Sequence, residues 1–196
     1  MNPTSPLIRL FKLIITEIRC IFLHFIVFYP SSPIGNKIRG MYYRHLLKTT
    51  DKPIIMHGSR LVHPKLIQIG NKFIAGENVV LNAADSNGIF IGNEVGIAHH
   101  SYIRSANHLI DNVDVPIRGQ GHTCKRIDYK GKTYSVVIED NVWIAASCII
   151  LSGAYIGEGS VISAGSVVSH KIPPYSIVVG NPGRVVSNRK KLGPIK

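Results

Sequence analysis

Three histidines stand close together in the segment "IAHHSYIRSANHLIDN", namely His99, His100 and His108. Imidazole exchanges a proton near neutral pH, so a well-positioned histidine is suited to act as a general base. His108 lies where a regular repeat ends and a long polar segment begins, whereas His99 and His100 lie within the repeat, near a turn. We therefore expect His108 to do the chemistry and the other two side chains to point to solvent.

The repeat around these histidines has a period of six residues, which neither a helix nor an ordinary strand has. Aliphatic residues recur at this spacing, and a smaller residue follows four positions after most of them. The aliphatic residues are Ile138, Ile144, Ile150, Ile156, Ile162 and Val168, and the smaller ones are Val142, Cys148, Ala154, Ser160 and Ser166. The same step recurs upstream at Ile91, Ile97 and Ile103, and more loosely from Ile69 to Leu81.

A short strand followed by a turn accounts for this period. Three such units make one triangular coil of about 18 residues, and successive coils stack as parallel strands about 4.8 Å apart. The aliphatic residue points inward. We expect Gly and Asn to supply the positive φ of the corners, at Gly70, Asn71, Gly76, Asn78, Gly92, Asn93, Gly157 and Gly159. A sandwich of short strands would alternate by two instead. The pattern predicts an all-β parallel β-helix of hexapeptide repeats, whose hand the spacing does not determine.

Two segments interrupt the repeat, and function is often carried at such interruptions. The first is the small excursion "NAADSNG" at 82–88, and the second is a long loop excursion at 109–135. The longer one is too polar to be core, and a loop of that length inside a compact domain is usually functional or disordered. Its five Lys and Arg residues either bind anions or are solvated.

The N-terminal segment, residues 1–52, is apolar and basic and predicts one or two amphipathic helices. Charged residues interrupt its apolar run, which is too short to span a bilayer. Two interpretations stay open: the helix packs on the domain or on a neighbouring subunit, or it lies in the interface of a membrane. Eight Lys and Arg residues against two acidic residues give this segment a net charge of +6, which favours contact with an anionic leaflet.

Composition bounds the rest of the organisation. The chain has 196 residues and a net charge of +12, which suggests an anionic partner or serves solubility. We divide it into the helical segment 1–52, a β-helical domain at 53–186 and a basic tail at 187–196. The three cysteines are too few and too far apart for a disulfide framework or a zinc site, and no cleavable signal peptide is evident. We expect a cytoplasmic protein, with peripheral contact at the inner membrane as the open alternative.

The region Ile54–Val186 resembles the hexapeptide-repeat acyltransferases, which are left-handed β-helices. The resemblance rests on "SANHLID", on "IEDNVWIAASCIILSGAYIGEGSVISAGSVVSHKIPPYSIVVGNPGRVV" and on the long loop between them. It is most similar to the maltose and galactoside O-acetyltransferase branch and to the O-acetyltransferases of bacterial surface polysaccharides. The resemblance implies a homotrimer with each active site between adjacent β-helices, acetyl-CoA as co-substrate, and a histidine that deprotonates a sugar hydroxyl for direct attack on the thioester.

The same resemblance assigns roles to individual residues. His108 matches the catalytic histidine, and the backbone N–H of Ala146 matches the donor to the oxyanion, although the family more often has Gly-Ser or Gly-Gly there. For CoA binding the resemblance implies Trp143, Ala146, Ala164, Ser169, Lys171 and Arg184. Lys171 departs from the pattern, because the family has its basic residue one position earlier. In the small excursion we expect Asn82 and Asp85 to contact the acceptor, and no residue is expected to bind a metal.

The predicted function is acetyl-CoA-dependent O-acetylation of a sugar hydroxyl, on a bacterial surface polysaccharide or its precursor. One alternative is N-acetylation of an amino-sugar nucleotide on the same fold, and another is a non-enzymatic β-helical scaffold. A carbonic anhydrase of the same fold requires two histidine ligands five residues apart, and no pair of histidines has this spacing. Nucleic acid is not an expected partner, because aromatic residues are not interleaved with the basic ones.

Overall fold

The computed structural model describes residues 6–47, 49, 51–85 and 87–192. Two α-helices come first, α1 (Pro6–Phe28) and α2 (Pro33–Leu47), and short 3-10 helices lie at Pro64–Leu66, Ile117–Gly119 and Arg189–Lys191. Residues 1–5, Lys48 and Thr50 of the N-terminal segment, Ser86 of the small excursion and residues 193–196 of the basic tail lie outside the described residues.

The remainder of the described chain forms short strands, most of them two or three residues long. In chain order they are β1 (Ile54–Ile55), β2 (Arg60–Val62), β3 (Ile67–Ile69), β4 (Ile74–Ala75), β5 (Val80–Asn82), β6 (Ile89–Ile91), β7 (Gly96–Ile97), β8 (Tyr102–Arg104), β9 (Asn107–His108), β10 (His122–Thr123), β11 (Ile127–Tyr129), β12 (Lys132–Tyr134), β13 (Val136–Ile138), β14 (Trp143–Ile144), β15 (Ile149–Ile150), β16 (Tyr155–Ile156), β17 (Val161–Ile162), β18 (Val167–Val168), β19 (Lys171–Ile172), β20 (Ser176–Val179) and β21 (Arg184–Asn188).

These strands stack into three parallel sheets, which are the faces of a triangular coil. Face A contains β1, β4, β7, β14, β17 and β20; face B contains β2, β5, β8, β15 and β18; face C contains β3, β6, β13, β16 and β19. The chain visits the faces in the order A, B, C and then begins the next coil. After β20 it reverses, and β21 pairs antiparallel with β20 at the end of face A. The predicted parallel β-helix is confirmed.

The six-residue spacing sets which side chains point inward. All six aliphatic residues from Ile138 to Val168 are fully buried, and so are the small residues that follow four positions later, such as Cys148 and Ser160. Ile172 and Val178 continue the same interior column. The core is therefore a stack of aliphatic layers, with small residues where the interior narrows at each corner.

The corners follow a different rule from the one expected. Of the eight Gly and Asn residues expected there, only Asn78 and Gly159 have positive φ as predicted, and Gly70, Asn71, Gly76, Gly92, Asn93 and Gly157 do not. In most corners the third residue after the inward aliphatic adopts positive φ whatever its type, as Glu94 does at +56°. At the first corner position glycine avoids a clash with the next coil. A Cβ on Gly92 would lie 2.8 Å from the backbone nitrogen of Asp140.

The segment at 109–135 leaves the coil between face B and face C and contains regular structure of its own. Strand β10 pairs antiparallel with β9 as the chain leaves and returns, and β11 and β12 form a second antiparallel ladder. Tyr134 packs with Phe90 and Val137 in a small cluster outside face C. The return of this segment is thereby fixed against the β-helix.

The two helices differ in how they contact the β-helix. Tyr43 of α2 is buried in the same core as Ile55, so α2 covers the first coil. Arg39 is fully buried, and its guanidinium donates to the carbonyl oxygens of Ile55 and Tyr29, which joins both helices to β1. Helix α1 buries only Ile26 and Val27, at its C-terminal end. Within the described residues, no helix has the length and continuous apolar character that crossing a bilayer requires.

Candidate active site

His108 lies at the corner between faces B and C, which we call corner BC (63–66, 83–85, 87–88, 105–135, 151–154 and 169–170). It is the last residue of β9, its side chain is exposed, and it pairs with His122 of β10. The two imidazole rings are 4.4 Å apart between centroids and tilted by 36°. The histidine expected to act as base therefore stands at the rim of the coil, held by a two-strand ladder.

Ala146 lies at a different corner, between faces A and B, which we call corner AB (56–59, 76–79, 98–101, 145–148 and 163–166). At this corner the second residue of each turn stacks directly above that of the previous coil. The Ser147 N–H donates to the carbonyl of His99 at 3.0 Å, and the Gly165 N–H donates to that of Ala146 at 2.9 Å. Ala146 and Ala164 are thus neighbours in a column that runs parallel to the axis of the β-helix.

The backbone N–H of Ala146 has no hydrogen-bond acceptor among the described residues. Its own carbonyl is occupied by Gly165, and its neighbours Ala145 and Ser147 both donate to adjacent coils. Ala146 is half-buried at the outer edge of the corner. An unpaired N–H on a rigid corner can donate a hydrogen bond to a ligand carbonyl or to a developing oxyanion, without breaking any hydrogen bond of the fold.

Trp143 flanks this column on face A, in register with Gly96 below it and Val161 above it. Its side chain is 56% exposed and is not packed under the 109–135 segment. It lines a groove of about 590 Å³ together with Ile74, Gly96, His99 and His100. His99 and His100 are exposed, as expected, but they border this groove.

The other residues expected to bind CoA divide between the two corners. Arg184 is exposed and pairs with Val179 at the end of face A, so it continues the column of corner AB. Ser169 lies at corner BC, and Lys171 follows it on face C. The Lys171 ammonium lies 5.3 Å from the ring centroid of Tyr155, a cation–π contact that holds it on face C.

Burial changes the pKa of Tyr155 and of Cys148, near these corners. Burial raises the pKa of the Tyr155 phenol, and its hydroxyl donates to Glu139 at 2.6 Å. Burial likewise raises the pKa of the Cys148 thiol, which donates to the carbonyl of Ser163 at 3.2 Å. A thiol that stays protonated in this way is a poor nucleophile, so Cys148 serves as the small residue of its corner.

The two residues expected to contact an acceptor both lie near corner BC, one coil below His108. The amide of Asn82 donates to the hydroxyl of Tyr102 at 3.4 Å. Oδ1 of Asp85 accepts hydrogen bonds from the backbone of Asn87 and the hydroxyl of Ser135, which closes the small excursion. Oδ2 of Asp85 is buried and has no partner among the described residues.

Three neighbours of these residues were not singled out from the sequence. Arg104 donates from Nη1 to the hydroxyl of Tyr102 at 3.3 Å, which extends the polar surface of face B towards corner BC. His122 lies beside His108, although 13 other residues separate them in the sequence. The six-residue period could have indicated that Tyr102 points outward on face B, because it precedes the inward Ile103. Nothing local in the sequence predicts the pairing of His108 with His122.

The residues expected from the sequence to form the site therefore fall into two groups on one chain, which we call half-sites. Corner AB brings together Trp143, Ala146, Ala164 and Arg184, whereas corner BC and the adjoining edge of face C carry His108, Asn82, Asp85, Ser169 and Lys171. The structure does not bring His108 and Ala146 to the same corner, because face B separates the two corners. Among the described residues, no group of three or more His, Cys, Asp or Glu could hold a metal ion.

Residues 135–170 match the family model for the bacterial transferase hexapeptide, six repeats. A putative acetyltransferase of Saccharomyces cerevisiae is 36% identical over 156 residues, which are 79% of this chain and 73% of that protein. Four further curated relatives, a galactoside O-acetyltransferase among them, are matched over only 39–56% of their length.

Two solved acetyltransferase structures are also similar to this chain. A maltose O-acetyltransferase from Clostridium difficile is 30% identical with a TM-score of 0.68, over 90% of this chain and 88% of that one. A hexapeptide-repeat acetyltransferase from Vibrio cholerae, solved in complex with acetyl-CoA, is 29% identical with a TM-score of 0.63, over 78% of this chain and 77% of that one. These similarities support a left-handed coil.

Proposed function

The chain belongs to the hexapeptide-repeat acetyltransferases, and from that premise we propose that it transfers the acetyl group of acetyl-CoA to a sugar hydroxyl. The acceptor we propose is a bacterial surface polysaccharide or its precursor. The unpaired N–H of Ala146 carries the proposal, because it lies at the corner beside the groove that Trp143 and His99 line, in a protein whose similar structures include one that holds acetyl-CoA.

The proposed reaction is a direct transfer. His108 removes the proton of the acceptor hydroxyl, the oxygen attacks the thioester carbonyl, and the N–H of Ala146 donates to the tetrahedral oxyanion. Collapse of the intermediate breaks the C–S bond and releases CoA, whose thiolate takes the proton from the His108 imidazolium and leaves the imidazole neutral. Trp143, Ala164 and Arg184 hold the pantetheine and phosphate portions of CoA along corner AB, and Ser169 and Lys171 contribute from the other corner.

We further propose that the active site forms between two copies in a homotrimer. The support is the placement of the half-sites: His108 and Ala146 lie at different corners of one chain, so a neighbouring copy is needed to oppose them. Asn82 and Asp85 would then face the acceptor from the side of His108. We propose that residues 53–186 form the catalytic domain, because the corners that carry the half-sites lie within these limits.

A thiol-release assay tests the proposed activity. The purified protein is incubated with acetyl-CoA and with sugars that offer either hydroxyl groups alone or an amino group, including nucleotide-linked amino sugars. We expect CoA release with a hydroxyl acceptor and formation of an acetyl ester. Release only with an amino sugar would favour N-acetylation, and failure to bind acetyl-CoA in calorimetry would favour a scaffold.

The acceptor class is tested in the host. Deletion of the gene should remove O-acetyl signals from the nuclear magnetic resonance spectrum of the surface glycan, and expression of the wild-type chain should restore them. Expression of a His108→Ala chain serves as the control for the chemistry. An unchanged glycan after deletion would contradict a polysaccharide acceptor while leaving the transfer reaction itself open to the assay above.

A further inference from the structure

Helix α1 exposes its apolar side chains away from the β-helix. Leu7, Phe11, Ile18, Phe22 and Phe25 are each at least 60% exposed. These positions repeat at intervals of three, four or seven residues, so they lie on one side of the helix. An apolar arc of this size is far larger than the scattered exposed residues of an ordinary surface.

The side of α1 that faces the protein is a different one. Val27 is 2% exposed and its carbonyl accepts a hydrogen bond from the Gly58 N–H at 2.9 Å, whereas Phe25, two residues earlier, is 68% exposed. Leu23, at 37%, is the least exposed of the large apolar side chains before Ile26. The helix is thus attached by its C-terminal end and turns its apolar arc outward.

Basic residues lie along one edge of this arc. Lys12 and Arg19 are seven residues apart, about two turns, and both are exposed. Lys12 lies four residues after Ile8, and Arg19 lies four residues after Ile15, so both stand at the boundary between the apolar and polar sides. Glu17 is the only acidic residue of the helix, and it lies towards the opposite edge.

We infer that α1 is an interfacial helix that docks on an anionic lipid surface. A helix with Phe, Leu and Ile on one side and Lys and Arg at the boundary is the type that lies in the headgroup region of a bilayer. Cations at the edge of the arc are then at the level of the lipid phosphates. The inference does not rest on the proposed acetyl transfer.

A second copy of the chain is the competing occupant, and the sequence of the arc disfavours it. In a coiled-coil seam the apolar stripe is narrow, and the flanking positions are usually charged. Here Leu10, Ile15 and Phe22 widen the arc beyond such a stripe, and all three are exposed. A broad apolar side with cations at one edge fits a lipid surface better than a matching helix.

Vesicle flotation with the full-length protein tests the inference. The vesicles contain phosphatidylglycerol and phosphatidylcholine in equal parts, or phosphatidylcholine alone. We expect binding to the anionic vesicles that weakens as salt is raised. Changing Phe11→Gln together with Phe22→Gln should lower the affinity by roughly a hundredfold, at about tenfold for each lost phenyl group.

Two variants serve as matched controls. Thr16→Gln with Cys20→Gln introduces the same two side chains on the opposite side of the helix, and binding should be retained. Lys12→Gln with Arg19→Gln should lower affinity for anionic vesicles by roughly twentyfold, and should change binding to neutral vesicles much less. All of these side chains are exposed, so the melting temperature should stay unchanged in each variant.

Two outcomes would overturn the inference. One is a wild-type protein that does not bind the anionic vesicles. The other is equal binding by the wild-type protein and the Phe11→Gln, Phe22→Gln variant. Sedimentation measurements then identify the alternative, because a smaller assembly for this variant would assign the arc to a second copy. Acetyl transfer to a soluble acceptor, measured in parallel, should be unchanged.

Discussion

At the scale of single residues, His108 is the candidate whose role is most directly testable. It is exposed at the end of β9, so its replacement removes no buried contact. We expect His108→Ala to lower the turnover number by roughly a hundredfold or more, because the proton acceptor is lost. The dissociation constant for acetyl-CoA, measured by calorimetry, should change little, since the role proposed for His108 is proton transfer and not CoA binding.

Neighbouring histidines provide the controls for this prediction. His99→Ala and His100→Ala alter the groove beside Trp143 and should affect acetyl-CoA binding more than turnover. His122→Ala removes the ring next to His108 and should have a smaller effect on turnover than His108→Ala. An active His108→Ala enzyme, or one that only the His100→Ala change inactivates, would show that another histidine is the base.

Ala146 allows a test of the oxyanion donor that leaves the fold intact. Pro174 occupies the second position of a turn of the same type, at the corner between faces C and A, so we expect the turn to accept proline. Ala146→Pro then removes only an N–H that bonds to no described residue. We expect the turnover number to fall by roughly 10²–10³, measured in the thiol-release assay. Glu77→Pro, at the same position of another coil, is the control, and an equal loss there would contradict the assignment.

At the scale of elements, the contact between coils at the first corner position is the most sensitive feature. A Cβ on Gly92 would meet the backbone of Asp140 at 2.8 Å, and the backbone there is held in both directions by parallel strands. We expect Gly92→Ala to lower the free energy of unfolding by about 1–3 kcal/mol, as overpacking does. Chemical denaturation measures this change.

Gly119 is the matched control for that substitution. It lies in the 109–135 segment, where a Cβ would meet only the Val115 side chain at 3.5 Å. Gly119→Ala should therefore change the free energy of unfolding by no more than about 0.5 kcal/mol. Equal stabilities of the two variants would show that the coils tolerate a wider separation at their corners than the structure indicates.

At the scale of the whole molecule, the division of the half-sites predicts complementation between inactive chains. If each site takes His108 from one copy and Ala146 from its neighbour, co-expression of His108→Ala and Ala146→Pro chains restores intact sites. Random mixing in a cyclic trimer leaves about a quarter of the sites intact. Activity is compared with that of each variant alone.

The control for complementation uses both changes in one chain. Mixing this double variant with either single variant produces no site with both groups present, so activity should stay at the background level. If the His108→Ala and Ala146→Pro mixture also stays at background while mixed assemblies form, each site lies within one chain. The copies would then assemble for another reason.

The sequence by itself determined the repeat and its register. Each hexad specifies its own strand and turn, because the inward aliphatic residue fits a short buried strand and the small residue fits the narrow corner that follows. Ile138, Ile144 and Ile150 are accordingly fully buried, as predicted from spacing alone. The same spacing placed His108 at the point where the chain leaves the coil.

Tertiary structure decided what depends on contacts between distant residues. Positive φ fell on Glu94 rather than Gly92, because the approach of the next coil, and not intrinsic preference, selects glycine at the first corner position. Arg189 and Lys190 contact the Gly159 carbonyl and the Tyr175 ring, which are distant from them in the sequence. The outward side of α1 depends on the attachment of its C-terminal end to the first coil, where the Gly58 N–H donates to the Val27 carbonyl. The separation of His108 from Ala146 depends on face B, which lies between their corners.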